Sequence, residues 1–101
     1  MILYNTTFQV EMAEAQNLVI FLHESYIPEA TKSGMMKNPR LARIISHQDE
    51  NSECFSVQFE TESVATIHKW YTTEGKAIND NLIKLFKDKV VGFPTMMEVI
   101  E

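Results

Sequence analysis

Side chains alternate between apolar and polar along the first residues of the chain, as they do in a β-strand that buries one face. One side of this segment carries Ile2, Tyr4, Thr6, Phe8 and Val10, and the other carries Leu3, Asn5, Thr7, Gln9 and Glu11. This period of two predicts a first strand over residues 2–12.

From Ala13 the apolar positions fall three and four residues apart, which is the spacing of an amphipathic helix. The stripe consists of Ala15, Leu18, Val19, Leu22 and Tyr26. Pro28 has no N–H to donate to the carbonyl four residues earlier, so it predicts a kink or break in the helix. A further turn is expected to reach Ser33, with Gly34 as a left-handed C-terminal cap.

The next region has the pattern of a β-hairpin. Residues 40–47 and 54–60 have the composition of strands, and the segment between them, residues 48–52, is polar and typical of a turn. We therefore predict that the second and third strands pair with each other.

Charges are segregated in this hairpin, with the basic residues before residue 49 and the acidic residues from Asp49 onward. A turn centred near residues 50 and 51 would place Arg40 beside Glu60 and Arg43 beside Gln58. Two interpretations are open, an anion site at the two arginines or charge compensation between neighbouring strands. The predicted pairing favours charge compensation.

A long second helix is predicted from about residue 62 to residue 89, with Thr61 or Ser63 as its N-cap. Its apolar stripe consists of Val64, Ile67, Tyr71, Ile78, Leu82 and Leu85. Gly75 lies in the middle of this helix, where glycine costs roughly 1 kcal/mol relative to alanine, and could mark a bend.

Residues 90–100 predict a fourth strand. Its apolar side carries Val91, Phe93, Met97 and Val99, and Phe93 is expected to face the helices. Pro94 lacks the N–H that a central strand would use, which predicts an edge strand or a bulge.

This order of elements predicts an α+β, ferredoxin-like βαββαβ fold formed by residues 1–101 as one domain. The sheet is antiparallel and four-stranded, with both helices on one face and strand one paired with strand three. Its second face mixes uncharged polar residues with Leu3, Met96 and Ile100. Such a face is better suited to packing against a second copy of the chain than to solvent.

Composition restricts the possible functions. The 101 residues carry a net charge of −5, which disfavours nucleic acid as a partner. The chain has one cysteine, Cys54, and no apolar run long enough to span a bilayer. We see no secretory signal and expect a cytoplasmic protein with no membrane partner.

Candidate chemistry is sparse. The three histidines, His23, His47 and His68, lack the spacing of a zinc site, so no metal and no cofactor are expected. His47 could lie across the hairpin from Cys54, but nearby acids would raise the thiol pKa, so a structural cysteine is favoured over a nucleophile. Phosphate-binding glycine motifs are absent from the sequence.

Several short segments together resemble a bacterial family of unknown function whose members are similar in length to this chain. They are Met1-Ile2-Leu3-Tyr4-Asn5-Thr6-Thr7, Ile27-Pro28-Glu29, Arg43, and Phe93-Pro94-Thr95-Met96-Met97-Glu98-Val99-Ile100. That family is similar to the dimeric α/β-barrel superfamily, which includes antibiotic-biosynthesis monooxygenase-type proteins. The resemblance implies a homodimer whose two sheets close into a barrel, with a small pocket between sheet and helices in each subunit.

The same resemblance leaves the activity open, because this fold hosts enzymes and binding proteins alike. Where the family has His-Ile-Pro, this chain has Tyr26-Ile27-Pro28. Tyrosine is a poor general base near neutral pH, which favours binding over turnover.

A set of polar and aromatic residues predicts the pocket lining. The set is Tyr4, Asn5, His23, Tyr26, Arg43 and Trp70, with His68 and Tyr71 as further candidates. Buried tyrosine and tryptophan are also ordinary core residues, so this interpretation competes with a plain hydrophobic core. Arg43 would favour an anionic or carbonyl group if its strand turned it inward.

Three functions therefore stay open. The first is a homodimer that binds a small apolar or aromatic ligand, with or without an anionic group. The second is a non-enzymatic assembly or regulatory module, and the third is a cofactor-independent monooxygenase-like enzyme. A cavity of about 300 Å³ or more beneath Tyr4 and Tyr26 would favour ligand binding over assembly.

Overall fold

Strands and helices follow one another in the predicted order in a computed structural model that covers residues 1–101. The strands are β1 (Ile2–Glu11), β2 (Lys37–Arg43), β3 (Ser52–Thr61) and β4 (Val90–Glu98). They form one antiparallel sheet in the order β2-β3-β1-β4. The predicted ferredoxin-like fold, with β1 paired to β3, is confirmed.

The first helix, α1, changes its winding immediately before Pro28. Its segments are a 3₁₀ turn (Met12–Glu14), an α-helix (Ala15–Phe21), a π turn (Leu22–Tyr26) and a second α-helix (Ile27–Thr31). The wider π turn accommodates the residue that cannot donate a hydrogen bond. Gly34 has a φ of +83° and donates its N–H to the carbonyl of Thr31 at 3.1 Å, as expected of a C-terminal cap.

The second helix, α2, also contains a π turn. Its segments are an α-helix (Val64–Trp70), a π turn (Tyr71–Gly75), an α-helix (Lys76–Phe86) and a final 3₁₀ turn (Lys87–Lys89). Ser63 is the N-cap, and its Oγ accepts the N–H of Thr66 at 3.2 Å.

The predicted apolar stripe of α2 is wrong at three positions. Val64, Tyr71 and Leu85 are 43%, 50% and 62% exposed, whereas Trp70 and Phe86 are buried. The prediction assumed one continuous α-helix, and the π turn that begins at Tyr71 changes which side chains of this segment face the sheet.

The predicted register of the hairpin is also wrong. β2 begins at Lys37, opposite Glu60, and Arg40 and Arg43 lie opposite Gln58 and Phe55. The loop between the strands, residues 44–51, is longer than the turn that the sequence suggested, and a bulge follows Lys37. Charge compensation in the hairpin instead joins Arg43 Nε to Glu53 Oε2 at 3.2 Å.

β4 presents the opposite face to the one predicted. Phe93 lies opposite Thr7, so its side chain is on the helix-free face, and Met96 lies opposite Tyr4 on the helix-bearing face. Both faces of β4 carry apolar residues. The pattern of apolar and polar residues along this strand therefore could not predict which face turns toward the helices.

Both helices pack on the face of the sheet that carries the buried aromatic residues. The strand side chains of this core are Tyr4, Phe8, Val10, Phe55, Val57 and Phe59, and the helices contribute Leu18, Phe21, Leu22, Tyr26, Ala30, Ile67, Trp70, Ile78, Leu82 and Phe86. We call the other face of the sheet the open face. Neither helix is long and apolar enough to cross a membrane.

Candidate functional site

A cavity of about 280 Å³ lies between the β1–β4 half of the sheet and helix α2. Its β4 wall includes Gly92 and Pro94, which project little or no side chain toward the helices. A Cβ atom on Gly92 would lie 3.2 Å from the ring of Phe8, so the bare backbone at this position maintains the space. The volume is close to the lower limit for small-molecule sites in proteins.

Aromatic rings form the inner wall of the cavity. Tyr4 contacts Trp70 edge to face at a centroid distance of 5.7 Å, and Phe8 contacts Tyr26 in the same manner at 5.7 Å. Trp70 is fixed because its Nε1–H donates to the carbonyl of Ala30 at 2.9 Å. These contacts hold the wall rigid, as a preformed site requires.

Phenolic hydroxyl groups supply the polar character of the cavity. Burial raises the pKa of Tyr4 and raises the pKa of Tyr26 further, and the neighbouring phenol of Tyr71 raises both. The nearby hydroxyl of Thr6 opposes both shifts. Tyr4 and Tyr26 are therefore neutral hydrogen-bond donors at pH 7.

The structure brings together part of the predicted set of pocket residues. Tyr4, Tyr26, Trp70 and the further candidate Tyr71 line the cavity.

The other predicted residues lie elsewhere. Asn5 lies on the open face, where it accepts a hydrogen bond from Ser56 and donates to Thr7 Oγ1 at 3.2 Å. His23 and His68 are exposed on α1 and α2.

Arg43 is also outside the cavity. It shares the helix-bearing face with Phe55 but lies on β2, at the opposite edge of the sheet from β4, and its side chain is 64% exposed. Its guanidinium contacts the Phe55 ring and the carboxylate of Glu53.

Sequence reasoning missed several lining residues. Thr6 and Gly92 line the cavity from the strands, and Asn79 and Ile83 line it from α2. Thr6 could have been found, because it shares the predicted buried face with Tyr4. Gly92 could not, because the orientation of β4 depends on its register with β1. No charged side chain lines the cavity.

The end of the hairpin holds the remaining titratable groups. Ser52 Oγ donates to Asp49 Oδ2 at 2.9 Å, lies 2.9 Å from His47 Nε2, and accepts from Gln9 Nε2 at 3.3 Å. A serine hydroxyl donates one hydrogen bond and accepts up to two, so these contacts satisfy Ser52. Cys54 is not part of this network. Burial raises the pKa of the Cys54 thiol, as do the nearby acids Glu53 and Asp49.

No three side chains among His, Cys, Asp and Glu come together in a group that could hold a metal ion.

Solved structures share this fold over almost their whole length. A mutant of MhuD with two manganese protoporphyrin IX molecules bound per active site superposes with a TM-score of 0.73 at 15% identity, covering 100% of this chain and 96% of the other. A dimeric ferredoxin-like protein from an uncultured marine organism gives 0.70 at 13% identity, covering 100% and 96%. An antibiotic biosynthesis monooxygenase gives 0.64 at 16% identity, covering 98% and 99%.

These identities are low, so the neighbours establish the fold and not a shared activity. They confirm the similarity to ferredoxin-like proteins of the antibiotic-biosynthesis monooxygenase type. No curated protein sequence matches the chain significantly. The family comparison is decisive, because one family matches residues 1–100, nearly the whole chain: the protein belongs to the family described as domain of unknown function DUF4286.

Proposed function

We propose that this protein is a homodimer that binds a small, flat molecule in the cavity between the sheet and helix α2. The observation that carries the proposal is the convergence of two buried tyrosines with raised pKa values, Tyr4 and Tyr26, on one preformed aromatic cavity. Neutral phenols donate hydrogen bonds to a carbonyl or hydroxyl oxygen, and the rings around them stack on an aromatic ligand.

The open face supports the dimer. Its central rows are uncharged and polar, with Asn5, Thr7, Ser56 and Gln58, and its β4 side is apolar. Val91 and Phe93, both about half exposed, and Met97 form that apolar side. A face of this kind is suited to burial against a second copy of itself.

Binding rather than catalysis is favoured, because no side chain in the cavity is a good base at neutral pH. The cavity contains no histidine, carboxylate, lysine or cysteine. Its aromatic wall and phenol donors instead suit a bound carbonyl compound.

The test uses 2-naphthamide, a flat, uncharged carbonyl compound, in a ligand-observed NMR titration of the purified dimer. Asn79 and Asn81 are both exposed on α2, but only Asn79 lines the cavity. Asn79→Trp should fill the entrance and abolish binding, and the matched control Asn81→Trp should bind as the unmodified protein does. Equal binding by both variants would place the site elsewhere, and no binding by the unmodified protein would contradict the proposal for this ligand class.

Two conservative variants test the donors. Tyr4→Phe and Tyr26→Phe preserve the shape of the wall and remove one hydroxyl each. Each should weaken binding of 2-naphthamide by about 0.5–1.5 kcal/mol, the usual net contribution of one hydrogen bond. Unchanged affinity in both variants would leave these tyrosines as core residues.

A further inference from the structure

Apart from the aromatic residues, three polar side chains are buried in this protein, and one of them has no hydrogen-bond partner. They are Thr6, Ser52 and Thr61, each less than a tenth exposed. Thr61 donates its hydroxyl to the carbonyl of Met35 at 2.9 Å, and Ser52 donates to Asp49 Oδ2 at 2.9 Å. The Thr6 hydroxyl, in contrast, forms no hydrogen bond within the chain.

The neighbours of Thr6 across the sheet cannot supply this partner. Thr6 lies opposite Val57 on β3 and Pro94 on β4, and neither side chain carries a polar atom. Valine has nearly the same shape as threonine, so packing alone does not require a hydroxyl at this position. Burying a hydroxyl without a hydrogen bond is unfavourable, which points to a partner from outside the chain.

The hydroxyl of Thr6 opens into the cavity. Every fully enclosed side-chain oxygen or nitrogen atom of the structure has a hydrogen-bond partner. The Thr6 oxygen has none, so it is not fully enclosed, and Thr6 is one of the residues that line the cavity.

Two further hydroxyls are in the same position. Tyr4 and Tyr26 line the cavity and are each less than a tenth exposed, and their hydroxyls also form no hydrogen bond within the chain. The Thr6 hydroxyl is close enough to both phenols to oppose the rise in their pKa values. Three hydroxyls therefore lie near one another in the cavity wall, and all three are available to a ligand.

Three hydrogen-bond donors exceed what a single carbonyl group can accept. A carbonyl oxygen has two lone pairs, which the phenols of Tyr4 and Tyr26 would use. The Thr6 hydroxyl would then stay buried without a partner, which is unfavourable. A second oxygen atom beside the carbonyl would accept this third hydrogen bond. Because no charged side chain lines the cavity, an uncharged oxygen suits it better than an anionic one.

We propose that Thr6 is a third ligand-binding residue and that the cavity selects an uncharged aromatic carbonyl compound with a hydroxyl group on the neighbouring ring carbon. This inference rests on the proposed function and narrows its ligand class. The pair of oxygens faces Tyr4, Thr6 and Tyr26, and the aromatic ring lies against the apolar part of the cavity wall.

The first experiment compares three ligands by NMR titration at about pH 6, where phenols are uncharged. They are 2-naphthamide, 3-hydroxy-2-naphthamide, in which the two oxygens are adjacent, and 6-hydroxy-2-naphthamide, in which the hydroxyl is on the distant ring. The unmodified protein should bind the 3-hydroxy compound about fivefold to tenfold more tightly than either of the others. Equal affinity for the two hydroxy isomers would overturn the proposal.

The second experiment assigns this preference to Thr6. Thr6→Val preserves the shape of the side chain and removes the hydroxyl, so it should reduce the preference for the 3-hydroxy compound to within about twofold. Its affinity for 2-naphthamide should stay within about twofold of that of the unmodified protein. Thr6→Ser is the matched control, because it retains the hydroxyl and should retain the preference. A preference that survives in Thr6→Val would show that Thr6 does not bind the second oxygen.

A third measurement needs no ligand. Thr6→Val should leave the urea midpoint of the ligand-free protein unchanged or raise it, because no hydrogen bond is lost. Thr61→Val makes the same change at another buried strand position and should lower the midpoint, because it removes the bond to Met35. If Thr6→Val lowers the midpoint as much as Thr61→Val does, the Thr6 hydroxyl has a partner within the protein and the proposal is wrong.

The outcomes separate this inference from the proposed function. If 2-naphthamide binds and Asn79→Trp abolishes its binding, but the 3-hydroxy compound binds no more tightly, the role of Thr6 is wrong and the cavity stands. If none of the three compounds binds the unmodified protein, both proposals fail.

Discussion

β2 and β4 are both edge strands and both largely exposed, yet they differ in how they avoid unwanted pairing. β2 has three cations, a proline and a bulge, which are the usual means of protecting a sheet edge. β4 is Val-Val-Gly-Phe-Pro-Thr-Met-Met-Glu, an apolar sequence with only Pro94 to interrupt pairing along its edge. The protected edge strand, β2, is suited to exposure to solvent. The apolar side chains of β4 are instead suited to burial against another protein surface.

The same contrast extends to the helix layer. Beside β2, the rings and aliphatic side chains of β3 are fully packed, with Phe55, Val57 and Phe59 buried. Beside β4, the helices do not fill the space above the sheet, and this space is the cavity. The proposed dimer surface and the candidate ligand site therefore both lie at the β4 side of the sheet, on opposite faces of the same strand.

The largest effect should come from a charge on the apolar side of β4. Phe93→Glu should raise the dimer dissociation constant about 100-fold or more, because the two-fold axis doubles the loss of apolar burial. Light scattering measures the mass, and circular dichroism should show an unchanged fold, since Phe93 is 54% exposed. Ile45→Glu, at a loop residue that is 87% exposed, is the control and should remain dimeric. An unchanged mass for Phe93→Glu would show that β4 is not the covered strand.

Next in size is the packing of α2 above the cavity. A Cβ atom on Gly75 would lie 2.7 Å from the Trp70 ring, which cannot move without losing its hydrogen bond to Ala30. Gly75→Ala should therefore lower the free energy of unfolding by about 1–3 kcal/mol, although alanine favours helices. Urea unfolding measures this change in free energy. A variant that is more stable than the unmodified protein would show that the Trp70 ring moves to accommodate the added methyl group.

The elements of this fold could be predicted from the sequence because each has a local signal. Alternation identified β1, helical spacing identified both helices, and Pro28 and Gly34 marked the bend and end of α1. The π turns have no such signal, and for that reason Tyr71 and Leu85 were misplaced.

The site depended on pairing between distant strands. Tyr4 and Tyr26 could be predicted as lining residues because a single strand and a single helix orient them. Arg43 and Phe93 could not be placed, since a loop length and a register that the sequence does not encode locally determine where they point.

The third prediction concerns the tyrosines on the β4 side. Because burial raises the pKa of Tyr26 in the folded protein above its ordinary value of 10.0, the unfolded chain loses this proton first as the pH rises. Stability should be unaffected by this group below about pH 10 and should then fall by about 1.4 kcal/mol per pH unit. Tyr26→Phe should flatten this decline in urea titrations at several pH values. An equally steep decline in the variant would assign it to other groups.

A smaller effect tests whether the two edges meet. Lys37, Glu60, Leu3 and Met97 form one cross-strand row of the sheet. If two open faces pack with a two-fold axis parallel to the strands, Lys37 of one subunit lies level with Met97 of the partner subunit and beside its neighbour Glu98. Lys37→Glu and Glu98→Lys should each weaken the dimer by about 0.2–1 kcal/mol per contact, as exposed ion pairs do. The double variant should recover most of the loss in sedimentation equilibrium at low salt. If the losses in dimer stability of the two single variants simply add in the double variant, Lys37 and Glu98 do not interact with each other.

The smallest effect belongs to the hairpin loop beside β2. The Asp49 carboxylate accepts the N–H of Asn51 and the hydroxyl of Ser52, both at 2.9 Å, and these bonds hold its pKa below the ordinary 3.8. A lowered pKa in the folded state contributes stability above about pH 4, and this contribution is lost as the pH falls through the folded value. Asp49→Asn should therefore remove part of the acid dependence of unfolding below pH 4 and leave the alkaline decline of Tyr26 intact. Because Asp49 is fully exposed, salt should reduce the difference between variant and unmodified protein. If Asp49→Asn instead altered the alkaline side, the hairpin at the β2 edge and the cavity at the β4 edge would be energetically coupled, contrary to their separation in the fold.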